Sequence, residues 1–177
     1  MEKIAITIPD NQTIEIQKGS SLLDNIDQFK SNSGFPILAA KANNRIVSLH
    51  FVPDRAMHIE PVTFLSKEGK EVYRRTAAFI LYMAAESLYD NSRLVIRHSF
   101  GGGSYYDYYT DIPVNQEIID SLSEKMDEII DQDLALTEKI LTRKKAIAYF
   151  KKRAQSDKVR LLSGIKTKKI TIHEGEN

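Results

Sequence analysis

The chain has 177 residues, 42% hydrophobic and 28% charged, the make-up of an ordinary globular chain of one medium or two small domains. It contains no cysteine, which excludes disulfides and thiolate zinc sites. Lysine and arginine (25) balance aspartate and glutamate (24), so bulk charge does not select for nucleic acid or membrane, and no apolar run approaches the roughly 20 residues of a membrane span.

Met1-Glu2-Lys3-Ile4 leads directly into alternation at Ile4, Ile6 and Ile8. That predicts a half-buried strand rather than a signal peptide, so a cytoplasmic location is expected. Pro9-Asp10-Asn11-Gln12 reads as a turn, and Ile14 and Ile16 resume the alternation, which predicts a hairpin. Lys18-Gly19-Ser20-Ser21 breaks the pattern, and Ser20 or Ser21 can cap a helix. Leu22, Leu23, Ile26 and Phe29 follow at helical spacing, and Ser31-Asn32-Ser33-Gly34 ends that helix. Strands are expected over 38–42, 45–49 and 56–62, with Asn43-Asn44 turning between the first two.

Lys67-Glu68-Gly69-Lys70 is polar and holds a glycine, so a boundary is expected near 64–70, followed by a helix over 71–89. Arg93 to Phe100 has strand character, and Tyr105 to Tyr109 is a second strand rich in β-favouring aromatics. Gly101-Gly102-Gly103 between them suits a hairpin turn, although exposed amides there can also cradle an anion. In the predicted helix over 115–133, Ile118, Ile119, Leu122, Met126, Ile129 and Ile130 make one apolar stripe. Beyond it come a strand over 136–141, a basic helix over 143–153, a short segment over 158–162, and the start of a strand over 169–172.

Hairpin, helix and further strands follow one another in β-grasp order. Gly19-Ser20-Ser21-Leu22 and Ala40-Lys41-Ala42-Asn43-Asn44 resemble the marks of a TGS domain, a ubiquitin-like β-grasp, over about residues 1–63. Arg75-Thr76-Ala77-Ala78-Phe79, Gly103-Ser104-Tyr105-Tyr106-Asp107 and Gln155-Ser156-Asp157-Lys158-Val159 resemble the editing-type second domain of threonyl-tRNA synthetases. The resemblance implies an α+β chain with a TGS-like domain over 1–64 and a synthetase-like second domain over 65–177, cut short at its C-terminus. In that family the helix opens with a His-x-x-x-His pair, completed by a later Cys-x-x-x-His. Here the pair reads Arg75 and Phe79. Arginine has no lone pair to give and phenylalanine is apolar, so no catalytic residue, metal site or editing hydrolase is expected.

The same front end resembles bacterial uridine kinase-like proteins, which carry these two domains ahead of a kinase domain and tend to lack the histidine pair. That resemblance implies a non-catalytic accessory region whose partner is a downstream kinase domain. ATP and magnesium would belong to that domain, and this chain would hold no cofactor. Ser163-Gly164-Ile165-Lys166-Thr167 is not a P-loop: it has one residue too many before the lysine and lacks the first glycine.

An alternative is an RNA-binding module of a degenerate synthetase or related regulator, with nucleotide or RNA as ligand and no role for DNA or membrane. Arg74, Arg75, Arg93, Arg97 and Tyr106 are the candidate ligand contacts. Arg93 and Arg97 share a strand face, and alternation places His98 on the other. Tyr105, Tyr106, Tyr108 and Tyr109 suit either a base-stacking platform or a half-buried strand. Arg143-Lys144-Lys145 and Lys151-Lys152-Arg153 can meet RNA phosphates or form a solvated face. His50, His58 and His173 belong to no ligand spacing.

Overall fold

The computed structural model describes residues 2–29, 34–89, 92–100 and 103–176. The chain divides into two compact units, Met1–Asp111 and Ile112–Asn177.

In the first unit β1 (Lys3–Ile8) and β2 (Gln12–Gln17) pair antiparallel, with Ile4 opposite Ile16 and Ile6 opposite Ile14. Asp10 and Asn11 turn the chain between them with φ of 64° and 55°, a left-handed backbone that short polar side chains tolerate. β3 (Ile37–Ala42), β4 (Arg45–Val47) and β5 (Met57–Thr63) complete a sheet of order β2-β1-β5-β3-β4. β1 and β5 run parallel, and the other neighbours are antiparallel. This mixed sheet is the expected β-grasp. Asn43 and Asn44 make the β3–β4 turn, both at positive φ, as a tight hairpin turn requires. Period-two side chains bury Ile4, Ile6, Ile16 and Ile59 in one core, which Leu22 and Phe29 join.

The helix expected to begin near Leu22 is only a 3-10 stretch, Leu23–Gln28, with Asn25 outside helical geometry. Local polar bonds explain this. The Asp24 carboxylate accepts from the Ser21 amide and hydroxyl at 2.8 Å each, and Ser21 Oγ accepts from the Asp24 amide at 3.2 Å. The Asn25 side chain donates to Ser20 Oγ at 2.9 Å and to the Ser21 carbonyl at 2.8 Å. Such bonds compete with a regular helix ladder. Ser31, Asn32 and Ser33, expected to end the helix, lie outside the described residues.

α1 (Lys67–Leu88) begins four residues earlier than its sequence pattern suggests. Lys67-Glu68-Gly69-Lys70, expected as a boundary, forms its first turn. Ser66 is the N-cap: its hydroxyl accepts from the Gly69 amide and donates to the Thr63 carbonyl, both at 3.0 Å. An ion pair of 2.9 Å between Lys41 of β3 and Glu68 ties the helix start to the sheet. Phe64 and Tyr73 pack edge to face at 5.2 Å. β6 (Arg93–Phe100) and β7 (Gly103–Tyr109) then form an antiparallel hairpin. Gly101 and Gly102, expected in its turn, lie outside the described residues.

The second unit contains α2 (Gln116–Asp131), β8 (Ala135–Thr142), α3 (Arg143–Lys152), α4 (Ser156–Gly164) and β9 (Lys169–Glu176). β8 and β9 pair antiparallel from Ala135–Glu176 to Thr142–Lys169. The predicted stripe of α2 is only half used. Ile118, Leu122 and Ile129 are buried, while Ile119 and Ile130 are about half exposed (49% and 54%). At 100° per residue these two lie on one edge of the stripe and the buried three on the other. Ser163 and Gly164 of the P-loop-like string close α4.

Candidate functional site

β6 and β7 pair in regular register from Arg93–Tyr109 to Ile96–Tyr106, and the register then shifts before Ser99–Ser104. Across the shift, Arg97 and His98 together oppose Tyr105, the two-against-one count of a β-bulge. Regular alternation would have put His98 on the face opposite Arg97. The bulge instead brings both to the face of Tyr105, Asp107 and Tyr109.

That face carries a continuous row of contacts. The Arg93 guanidinium lies over the Tyr109 ring, 4.5 Å from its centroid. Arg97 Nε donates to Asp107 at 2.5 Å, and its terminal nitrogen donates to the Tyr109 hydroxyl at 2.9 Å. The Tyr109 hydroxyl donates to Asp107 at 3.1 Å. The His98 and Tyr105 rings stack in parallel, 5.4 Å apart and 1° from coplanar orientation. The Arg97 hydrogen bond is the main cause holding the Asp107 carboxyl below its ordinary range, and Arg97 is in turn raised, chiefly by Asp107. The face is open: Tyr105 is 63% exposed and Tyr109 43%. The aromatic side chains are thus held in place while their outer surfaces face water.

Of the candidates from sequence, the described contacts join Arg93 and Arg97 around Tyr109. Arg74 and Arg75 are exposed on α1, and Arg75 pairs with Glu71 at 2.7 Å one helical turn away. Tyr106 stands opposite Ile96, on the other hairpin face from Tyr105 and Tyr109. On that inner face Tyr108 packs edge-on against Tyr89 at 6.3 Å, and burial raises its phenol above the ordinary value. Sequence reasoning did not single out Asp107, and it placed His98 on the wrong face. The register shift that moves His98 has no local signature in the residues.

Phe79 is half-buried on α1, one turn beyond the exposed Arg75. Neither side chain can ligate a metal or relay a proton. Among the described residues, no group of three or more histidine, aspartate or glutamate side chains is arranged to hold a metal ion. A concavity in the β-grasp, lined by residues including Leu22, Phe29, Ile37 and Ile59, has only apolar walls and nothing to orient a polar ligand.

No family model matches the chain. It is 29% identical over 162 residues to a threonine–tRNA ligase of Desulforamulus reducens, covering 92% of this chain and 26% of that protein. A Clostridium novyi threonine–tRNA ligase is 29% identical over 167 residues, 94% of this chain and 26% of that protein. A third, from Natranaerobius thermophilus, is 30% identical over 148 residues, 84% and 23%. The similarity is to the N-terminal quarter of these ligases. This chain spans only about a quarter of the length of the curated relatives it matches. Threonine–tRNA ligase similarity agrees with the fold, a β-grasp sheet followed by an editing-type α+β region. No helix among the described residues is long and apolar enough to cross a membrane.

Proposed function

We propose that this chain is a non-catalytic, RNA-binding relative of the threonyl-tRNA synthetase N-terminal region. The observation that carries the reading is the open row of Arg93, Arg97, His98, Tyr105 and Tyr109 on the β6–β7 hairpin. Unpaired bases stack on tyrosine and histidine rings, and arginine adds phosphate and cation–π contacts. Arg75 and Phe79 stand where the synthetase family has histidines, so the region binds without hydrolysing. Electrophoretic mobility of a tRNA with the chain at about 50 and 150 mM salt tests this, with tighter binding expected at the lower salt. Tyr105→Ala and Tyr109→Ala should each weaken binding by roughly 5- to 100-fold. Absence of a shift at both salts contradicts the reading, because phosphate contacts strengthen as salt falls.

A second reading is favoured by the Arg75-Thr76 pair within α1, which is similar to the matching pair of uridine kinase-like proteins. The chain is then a regulatory region in the cytoplasm, ahead of a kinase domain that uses ATP and magnesium to phosphorylate a nucleoside. The gene sequence beyond Asn177 decides between the two parents. A Gly-x-x-x-x-Gly-Lys-Ser/Thr string supports the kinase, and a class II synthetase core removes it.

A further inference from the structure

Between Arg143 and Lys169 there are eleven lysines and arginines and one acidic residue, Asp157. The fold gathers these charges. On α3, Lys144, Lys145, Lys151 and Lys152 fall within one third of the helix circumference at 100° per residue, with the small Ala148 at the centre. All five are exposed. The opposite side of α3, around the fully buried Ala146, packs against β8, β9 and α4. The start of α3 adjoins a second basic run. The Arg143 amide donates to the Lys168 carbonyl at 3.0 Å, its guanidinium donates to the Ile165 carbonyl, and Thr142 pairs with Lys169 in the sheet. Lys166, Lys168 and Lys169 are exposed there as well.

None of these seven lysines has an ion-pair partner among the described residues, whereas Lys3, Lys41, Arg75 and Arg97 pair with Glu15, Glu68, Glu71 and Asp107. Holding like charges together without counter-charges costs stability, so the arrangement suits a polyanionic ligand. The chemistry of the face narrows the ligand further. A membrane-bound helix needs a free apolar side, and that of α3 is used in packing. A protein interface needs a desolvated core with aromatic or aliphatic anchors, and the lysine face offers nothing larger than Ala148. Point charges without anchors match a phosphodiester backbone, whose contacts position RNA without reading its sequence.

We propose that the outer face of α3, with Lys166, Lys168 and Lys169 beside its start, is a second RNA contact that grips phosphates independently of sequence. It rests on the RNA-binding reading and adds to it a site outside the β6–β7 hairpin. The test is fluorescence anisotropy of a labelled RNA hairpin with the full chain, from about 50 to 300 mM salt. The quadruple variant Lys144→Gln, Lys145→Gln, Lys151→Gln, Lys152→Gln should lose at least about tenfold in affinity at low salt. Its plot of log affinity against log salt should flatten by about 0.7 to 0.9 for each phosphate contact removed. Neutralising Lys3, Lys18, Lys67 and Lys70 instead should leave the slope in place. Circular dichroism checks that both variants keep the wild-type fold.

Wild-type affinity and slope in the α3 variant overturn this inference, and continued weakening by Tyr105→Ala shows that the hairpin reading survives it. An equal loss in the control variant also overturns it, as does binding to phosphatidylserine vesicles as tight as to RNA. No RNA binding by the wild-type chain removes both readings.

Discussion

A Cβ at Gly69 would stand 1.9 Å from the Thr63 carbonyl oxygen. That obstacle is backbone at the end of β5, so no side-chain rotation relieves it. Gly69→Ala is therefore expected to destabilise the first unit by about 1 to 3 kcal/mol, as overpacking does, measured by urea unfolding. Ser66→Ala removes the cap of the same turn and should cost about 1 kcal/mol in the same measurement. On the hairpin, Asp107 titrates below its ordinary range because Arg97 bonds to it. A carboxylate lowered in the folded state stabilises the fold above its unfolded value, about 3.9, and loses that contribution as pH falls through the lowered value. The Tyr109 ring resonances should therefore shift with acid in that window, and Asp107→Asn should abolish the shift. Neither the Gly69 approach nor the Lys41–Glu68 pair was legible beforehand. Each joins residues whose proximity exists only after β3, β5 and α1 have packed.

At the level of elements, α3 is pinned to the β8–β9 hairpin through one carboxylate. Glu174, with its side chain 15% exposed, accepts from Lys139 and Tyr149, and Arg153 lies 3.6 Å away. Arg153 also covers the Tyr149 ring at 3.8 Å. The Lys139 bond, then the Tyr149 bond, lowers the Glu174 carboxyl below its ordinary range, so this support is lost as pH falls through that lowered value. Glu174→Ala leaves Lys139 and Arg153 without their shared acceptor and should lower the melting temperature of the second unit by several degrees. Secondary structure was most legible where side chains keep a strict period. Ile4, Ile6 and Ile8 announce β1 because the whole alternating set faces one core. Leu22 to Phe29 misled because Ser20, Ser21 and Asp24 satisfy the backbone locally, a competition that hydrophobic spacing does not register. The hairpin face was half legible: the arginines and tyrosines stood out, but the bulge that adds His98 depends on the count of residues in both strands.

For the whole molecule, order and motif spacing made the β-grasp and the synthetase-like region recognisable, and the comparisons place the likeness in the N-terminal quarter of threonine–tRNA ligases. The gathering of basic charge was half legible: Arg143-Lys144-Lys145 and Lys151-Lys152-Arg153 stood out along the chain, but neither they nor a net charge of +1 shows that Lys144, Lys145, Lys151 and Lys152 share one face of α3. On the proposed function, an inherited fold has exchanged hydrolysis for binding. Filter retention of a tRNA esterified with a radiolabelled amino acid tests both halves of that claim at once. The chain is expected to retain the label on the filter at low salt, with the ester intact over the incubation and retention falling as salt rises. Release of the amino acid at a rate that follows protein concentration, or no retention at low salt, would contradict it.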